Sequence, residues 1–247
     1  MSRIFITGSA DGLGYLAAKA LMDLGHKIVL HARNPERGEI ALKKNPGAER
    51  VLIADLSNVN ACKNLALEVN THGPFDVVIH NAGVYNASAK EILTVNTLAP
   101  YILTCLIQKP KRLIFLSSGM HQYGHFNSNG FKSSNTISYS DSKLHIVMLC
   151  MAVARRWKNI YSNAVNPGWV PTKMGGRGAP DNLEKGYQTQ VWLAISNDDD
   201  AKVNGKYFFH QKVVRHNPEA DDEILQEKFL NLCDEATGVS FSAKDSQ

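Results

Sequence analysis

The sequence predicts an α/β fold, a doubly wound parallel sheet of about seven strands with helices on both faces, formed as a single domain over residues 1–247. Three observations carry that prediction. Short runs rich in Val, Ile, Leu and Phe recur with little polar alternation, which marks strands buried on both faces. Stretches of helical period separate them, as βαβ units require. A glycine-rich turn joins the first apolar run to the first helical stretch.

Each element has its own warrant. "RIFIT" (3–7), "KIVLH" (27–31), "RVLIA" (50–54), "DVVIH" (76–80) and "RLIFLS" (112–117) are the apolar strands. "YSNAV" (161–165) and "KYFF" (206–209) complete the set. Between them, "GYLAAKALMDLG", "NPERGEIALKKN", "NVNACKNLALEVN" and "KEILTVNTLAPYILTCLI" read as helices. Gly25 follows the first of these, where a helix commonly terminates. A helix is expected from Tyr139 through "IVMLCMAVA", and another near 219–236, where Leu225, Phe229 and Leu232 share one face. A substrate loop is expected over about 169–185.

Composition excludes several function classes. At 44% hydrophobic and 20% charged, the chain can build an ordinary globular core. The net charge of +4 is small, and the only tight basic group, "KPKR" (Lys109 to Arg112), reads as a solvated loop rather than a nucleic-acid patch. Cys62, Cys105, Cys150 and Cys233 form no C-x-x-C pair and read as free thiols of a reducing compartment. The N-terminus enters a strand directly, without a signal segment. The longest unbroken apolar run, Ile146 to Ala154, is far short of the ~20 residues a bilayer demands. A cytoplasmic protein with no membrane or nucleic-acid partner is expected.

Four groups of residues carry chemistry. In "TGSADGLG", Gly8, Gly12 and Gly14 lie between the first strand and the first helix. There glycine lets backbone approach a pyrophosphate, and the helix N-terminus offers N–H groups to it. "HNAG" (80–83), "SSG" (117–119) and "NPGWVPT" (166–172) follow the fourth, fifth and sixth strands, at the sheet edge where open α/β proteins bind ligands. In "SYSDSKL", Tyr139 and Lys143 are four apart, so a helix puts phenol and ammonium on one face.

Together these ordered motifs resemble the short-chain dehydrogenase/reductase family in its TGxxxGxG branch, across nearly the whole chain. The resemblance implies a Rossmann-type NADP-binding fold and a hydride-transfer enzyme. It assigns Tyr139 as the proton-transfer group, Lys143 as its tuner and ribose ligand, and Ser118 as the substrate-polarising partner, with Ser117 the weaker candidate. Asn96 in "TVNTLAP" matches the helix asparagine that ties a water to the lysine. A lysine charge ~4 Å away at an effective dielectric of ~20 would supply ~4 kcal/mol toward lowering the phenol pKa by ~3 units.

The same resemblance places the dinucleotide along Gly8, Ala10, Asp11, Gly12, Leu13 and Gly14, then Asp55 and Leu56. It continues over Asn81, Ala82 and Gly83, and ends at Pro167, Gly168, Val170 and Thr172 beside Tyr139 and Lys143. NADP is favoured over NAD, because Ala32 stands where an acid would accept the ribose 2′-hydroxyl and Arg33 follows it. Asp11 opposes this, since a carboxylate near a 2′-phosphate would repel it; it could instead cap the helix.

The spacing from Asn81 to Asn96 is shorter than the family pattern, and from Ser118 to Tyr139 longer. That layout resembles retinol-dehydrogenase-like and polyketide-ketoreductase-like members, which implies a bulky apolar ketone, aldehyde or alcohol substrate. Tyr85, His121, Tyr123, Phe126, Trp169 and Met174 are candidate pocket residues. His121 and His125 have no third ligand in view, so no metal is expected. The alternative function is a non-catalytic NADP(H)-binding regulatory or scaffold protein. The apolar helices around "NTLAPYILTCLI" and "IVMLCMAVA" suggest a homodimer, unless the insertion or the C-terminal helix covers them.

Overall fold

The computed structural model describes residues 1–133 and 136–241. Residues 134 and 135, within the long segment between Ser118 and Tyr139, lie outside the described residues. All described strands join one sheet, in the order β3-β2-β1-β4-β5-β6-β7-β8. They are β1 Arg3–Ile6, β2 Lys27–Ala32, β3 Arg50–Ile53, β4 Val77–His80, β5 Arg112–Leu116, β6 Tyr161–Asn166, β7 Lys206–Phe209 and β8 Lys212–Val213. The first seven pair in parallel, and β8 turns back antiparallel on β7. β8 was not expected, because its two residues are too few to leave a pattern. The strand order reverses between β1 and β4, which opens a crevice at the C-terminal ends of the strands.

The helices are α1 Gly12–Asp23, α2 Pro35–Lys44, α3 Val59–Thr71, α4 Ala89–Leu93, α5 Ala99–Leu106, α6 Ser128–Ser133, α7 Tyr139–Arg156, α8 Leu183–Ile195 and α9 Glu223–Thr237. Side chains of Asp11, Asn34, Asn58, Ser138 and Asn182 cap the starts of α1, α2, α3, α7 and α8. Two cores result, one on each face of the sheet. One packs α3, α5, α7 and α9, and the other packs α1 and α8.

Two departures from the sequence expectation have physical causes. The single helix expected over 90–107 is interrupted by a π turn, Thr94–Leu98, centred on Asn96. Pro100 has no N–H to send to the Asn96 carbonyl four residues back, so the α ladder cannot continue there. The Ala99 N–H instead reaches the Thr94 carbonyl. The second is α8, which begins inside the expected substrate loop. Its sequence "LEKGYQTQVWLAI" is polar and glycine-bearing, and only the cap Asn182 announces it.

The apolar α7 face that suggested a homodimer is covered within the chain. Every α7 residue from Ser142 to Val153 is buried. α9 lies over α7, and α6 packs on α9. Glu227 of α9 is clasped by Arg155 and Arg156 of α7. Phe126, Phe131 and Phe229 surround His145. The exposed patch on which the two-fold contact rested is therefore absent from this face. Among the described residues no helix is long and apolar enough to cross a membrane.

Candidate active site

A cleft of about 420 Å³ opens along the C-terminal ends of the strands. Gly8, Ala10, Asp11, Gly12 and Leu13 form its floor. Arg33, Asp55 and Leu56 line one end; Asn81, Ala82 and Gly83 line its middle. Tyr139, Lys143, Pro167, Thr172 and Met174 line the other end.

Local chemistry shapes this floor. The Asp11 carboxylate caps α1 by accepting from the Gly12 N–H at 2.8 Å. It also pairs with Lys173 at 2.5 Å and faces Arg37 at 3.7 Å. Burial opposes its ionisation, but Lys173 and the Gly12 N–H outweigh that and hold its pKa below the usual range. Gly14 lies under the loop, where a Cβ would fall 2.4 Å from Asn81 Nδ2 and 2.5 Å from the Gly8 carbonyl oxygen. Asn81 uses that amide to bond the Thr7 and Gly8 carbonyls, tying β4 to the glycine loop. His31, buried at the end of β2, accepts the Gly8 N–H at Nδ1 and bonds the Ala54 carbonyl through Nε2. Burial pushes its pKa down to about 4, so it is neutral and can accept.

At the other end, Tyr139 is the first residue of α7, set by a capping box between Ser138 and Asp141. Its phenol faces the Ser118 side chain, which favours the ionised form. Lys143, one turn on, is 4% exposed, and its Nζ donates to the Leu116 carbonyl at 3.0 Å. That ammonium stands 5.5 Å from the centre of the Tyr139 ring. Ser117 has a different task. Its hydroxyl donates to the Lys143 carbonyl and pins α7 to β5.

The pKa of Tyr139 departs from the sequence expectation. Burial pushes the phenol up to about 12, against a lowering by the neighbouring Ser118 hydroxyl. Burial also pushes Lys143 down to about 8, and the ammonium is engaged by the Leu116 carbonyl. The phenol is thus protonated at neutral pH.

The remaining site candidates separate. Asn96 lies beneath Lys143: its Oδ1 accepts the Val84 N–H at 2.8 Å, and its Nδ2 donates to Val84 O and Ser142 Oγ. Tyr85 is half-exposed and meets the Tyr139 ring edge-on at 4.8 Å. Gly168 donates its N–H to Asn166, and Val170 is buried. Trp169 and Tyr123 are exposed; the Trp169 indole donates to the Gly175 carbonyl and folds the loop on itself. Phe126 is in the aromatic group around His145.

His121 is placed elsewhere. It is 1% exposed, and both ring nitrogens are engaged inside the protein. His125 instead faces Glu219, so the two histidines serve different partners. Sequence reasoning also missed Arg37, His31 and Lys173. For Arg37 a signal existed: it follows Arg33 by four residues, in the first turn of a helix.

The cleft suits an extended dinucleotide. The α1 N-terminus opens on it, and Gly8, Ala10, Gly12, Ala82 and Gly83 leave its wall low where backbone must approach the ligand. A Cβ on Gly83 would sit 3.3 Å from both Lys143 Nζ and Asn96 Oδ1, between the cleft and the lysine.

Residues 2–182 match the family model described as short chain dehydrogenase. The chain is 46% identical over 252 residues to an uncharacterized oxidoreductase of Emericella nidulans, covering 97% of this chain and 98% of that one. It is 27% identical to human retinol dehydrogenase 14, over 96% of this chain and 86% of the relative. The structure of NADPH-bound carbonyl reductase from chicken fatty liver superposes with a TM-score of 0.68 at 20% identity, over 87% and 98% of the two chains. The chain belongs to the short-chain dehydrogenase family, whose oxidoreductases use a nicotinamide cofactor.

Proposed function

We propose that this member of the family is a cytoplasmic NADP(H)-dependent carbonyl reductase acting on a bulky, largely apolar ketone or aldehyde. One observation carries the reading. The Tyr139 phenol faces the Ser118 side chain and is backed by Lys143, at one end of a cleft whose far end presents Arg33 and Arg37. The residues from Gly8 to Gly14 would hold the pyrophosphate, and Lys143 the nicotinamide ribose. Ala32 leaves no carboxylate beside the adenosine ribose, and Arg33 and Arg37 offer two guanidinium groups to a 2′-phosphate. Asp11 does not counter this, because its charge is already met by Lys173 and Arg37. Bound NADPH supplies the hydride for the substrate carbonyl carbon.

Ser118 donates a hydrogen bond to the carbonyl oxygen and orients it against the phenol. Tyr139 gives its proton to that oxygen as negative charge develops there. A phenol near pKa 12 is protonated at neutral pH, as the proton donor in this role must be. The Lys143 ammonium stabilises the phenolate that remains. Tyr85, Met174 and Trp169 supply apolar surface around the reacting end.

The test is a panel of bulky apolar ketones and aldehydes, assayed with NADPH and NADH in parallel on the wild type and on Tyr139→Phe. NADPH-dependent turnover that collapses in the variant is the expected result. Tight NADPH binding with no turnover across the panel would replace this reading with the non-catalytic one.

A further inference from the structure

Ser118 has a second face that the proposed chemistry does not use. The residue is extended, with φ −163° and ψ 154°, and its Oγ accepts the Met120 N–H at 3.2 Å while facing the Tyr139 phenol. Its carbonyl oxygen receives three donors. They are the His121 N–H at 3.1 Å, His121 Nδ1 at 2.7 Å and the Tyr207 hydroxyl at 3.0 Å. A carbonyl has two lone pairs, and one partner satisfies most buried carbonyls. Three donors on one acceptor exceed what folding requires.

The side chains behind this carbonyl are buried and locked. His121 is 1% exposed and Tyr207 2%, with ring centres 4.4 Å apart. The tautomer of His121 follows from its partners. The Ser118 carbonyl can only accept, so Nδ1 carries the proton, and Nε2 accepts the Asn217 N–H at 3.3 Å. The Asn217 amide closes the arrangement by donating to the Gly124 carbonyl at 2.9 Å and the His121 carbonyl at 3.4 Å. Tyr207 lies on β7, and Asn217 directly precedes the short turn Pro218–Ala220. Two segments distant in sequence thus converge on one peptide unit of the catalytic loop.

We propose that His121 and Tyr207 are positioning residues for Ser118, with Asn217 holding His121 in its working tautomer. They grip the Ser118 carbonyl from within the protein and so fix where its hydroxyl meets Tyr139 and the substrate carbonyl. The proposal rests on the reading of Ser118 given above. Catalytic hydrogen bonds tolerate little displacement: a shift of about 1 Å in a reacting group can cost on the order of a hundredfold in rate. Neither side chain touches the dinucleotide cleft, so cofactor affinity is a separate readout.

The experiment measures kcat and KM for NADPH-dependent ketone reduction, and NADPH affinity by fluorescence titration. It uses wild type, Ser118→Ala, Tyr207→Phe, His121→Leu and His121→Asn. Tyr207→Phe removes one hydroxyl and keeps the ring, so it tests the idea even where His121→Leu fails to fold. Tyr207→Phe and His121→Leu are expected to lose about tenfold to a hundredfold in kcat with NADPH affinity unchanged. His121→Asn is expected to recover most of that loss, since an amide Nδ2 can donate where Nδ1–H does. If Ser118→Ala is inactive while Tyr207→Phe turns over like wild type, the positioning role is wrong and the site reading stands. If Ser118→Ala itself turns over like wild type, the site reading fails and takes this proposal with it. Loss of NADPH affinity in step with kcat in Tyr207→Phe, or no recovery in a folded His121→Asn, would reduce the network to a structural one and overturn the proposal.

Discussion

Lys143→Met is expected to make the protein more stable while abolishing turnover. Lys143 is 4% exposed, and burial lowers its pKa from 10.5 to about 8. At 1.36 kcal/mol per pKa unit, holding the charged form in that site costs about 3.4 kcal/mol at neutral pH. Methionine fills a similar volume without charge. It forfeits the bond from Nζ to the Leu116 carbonyl, worth about 1.5–3 kcal/mol for a charged donor. The net gain is roughly 0.5–2 kcal/mol at pH 7, read as a higher urea midpoint at unchanged slope. The pH dependence is the sharper signature. Between pH 8 and 10.5 the unfolded chain binds more protons at this lysine than the folded one, so wild-type stability rises with pH relative to the variant. The advantage of Lys143→Met is therefore full below pH 8 and is lost as pH climbs to 10.5. Thiol and phenol titrations are shared by both proteins and cancel in the difference. Urea unfolding of both proteins at several pH values across this window gives the comparison. A variant less stable at pH 7, or a stability difference flat with pH, would refute the idea that this charge is kept at the expense of stability.

Tyr139→Phe should lose about 10²–10⁴-fold in kcat while NADPH titration stays near wild type; near-normal turnover would remove Tyr139 from the proton path. Ala32→Asp combined with Arg33→Ala should move preference toward NADH, by an amount set by the residual contact to Arg37. Adding Arg37→Ala should complete the switch, as read by paired Kd measurements; equal NADH and NADPH affinity in the unaltered protein would contradict the assignment. His31, His80 and His145 are held neutral by burial at pKa values of about 4, 3 and 4, below the ordinary 6.5. Unfolding lets each bind a proton, so stability should fall as pH drops below 6.5, by about 2 kcal/mol per histidine at pH 5. Urea midpoints at pH 7 and pH 5 measure it, and a His80→Gln variant should show a shallower fall than wild type.

How much of this was legible in the sequence differs by residue. Local pattern sufficed for the seven parallel strands, because strands buried on both faces must be apolar throughout. It placed Gly8, Gly12 and Gly14 where β1 turns into α1, with Gly8 and Gly12 at positive φ and no room for a Cβ on Gly14, and it put Tyr139 and Lys143 on one face of a helix, because helical spacing alone does so. The π turn at Asn96 was also within reach, since Pro100 removes the one donor the α ladder needs. Tertiary structure decided what depends on packing between distant segments. Ser117 and Ser118 are adjacent and chemically identical, and only the approach of α7 separates them: one hydroxyl bonds the Lys143 carbonyl, the other faces the Tyr139 phenol. The spacing of Tyr139 and Lys143 places a charge near the ring but says nothing of how deeply both are buried, and that burial pushes the phenol pKa up. Asp11 reads as an uncompensated carboxylate in the glycine loop, and only folding brings Lys173, 162 residues away, to meet its charge. His121 looked like a pocket residue until Tyr207 and Asn217 enclosed it. Which groups are desolvated, and which charges are met, is set by segments that share no local pattern, so it appears only when the chain is folded.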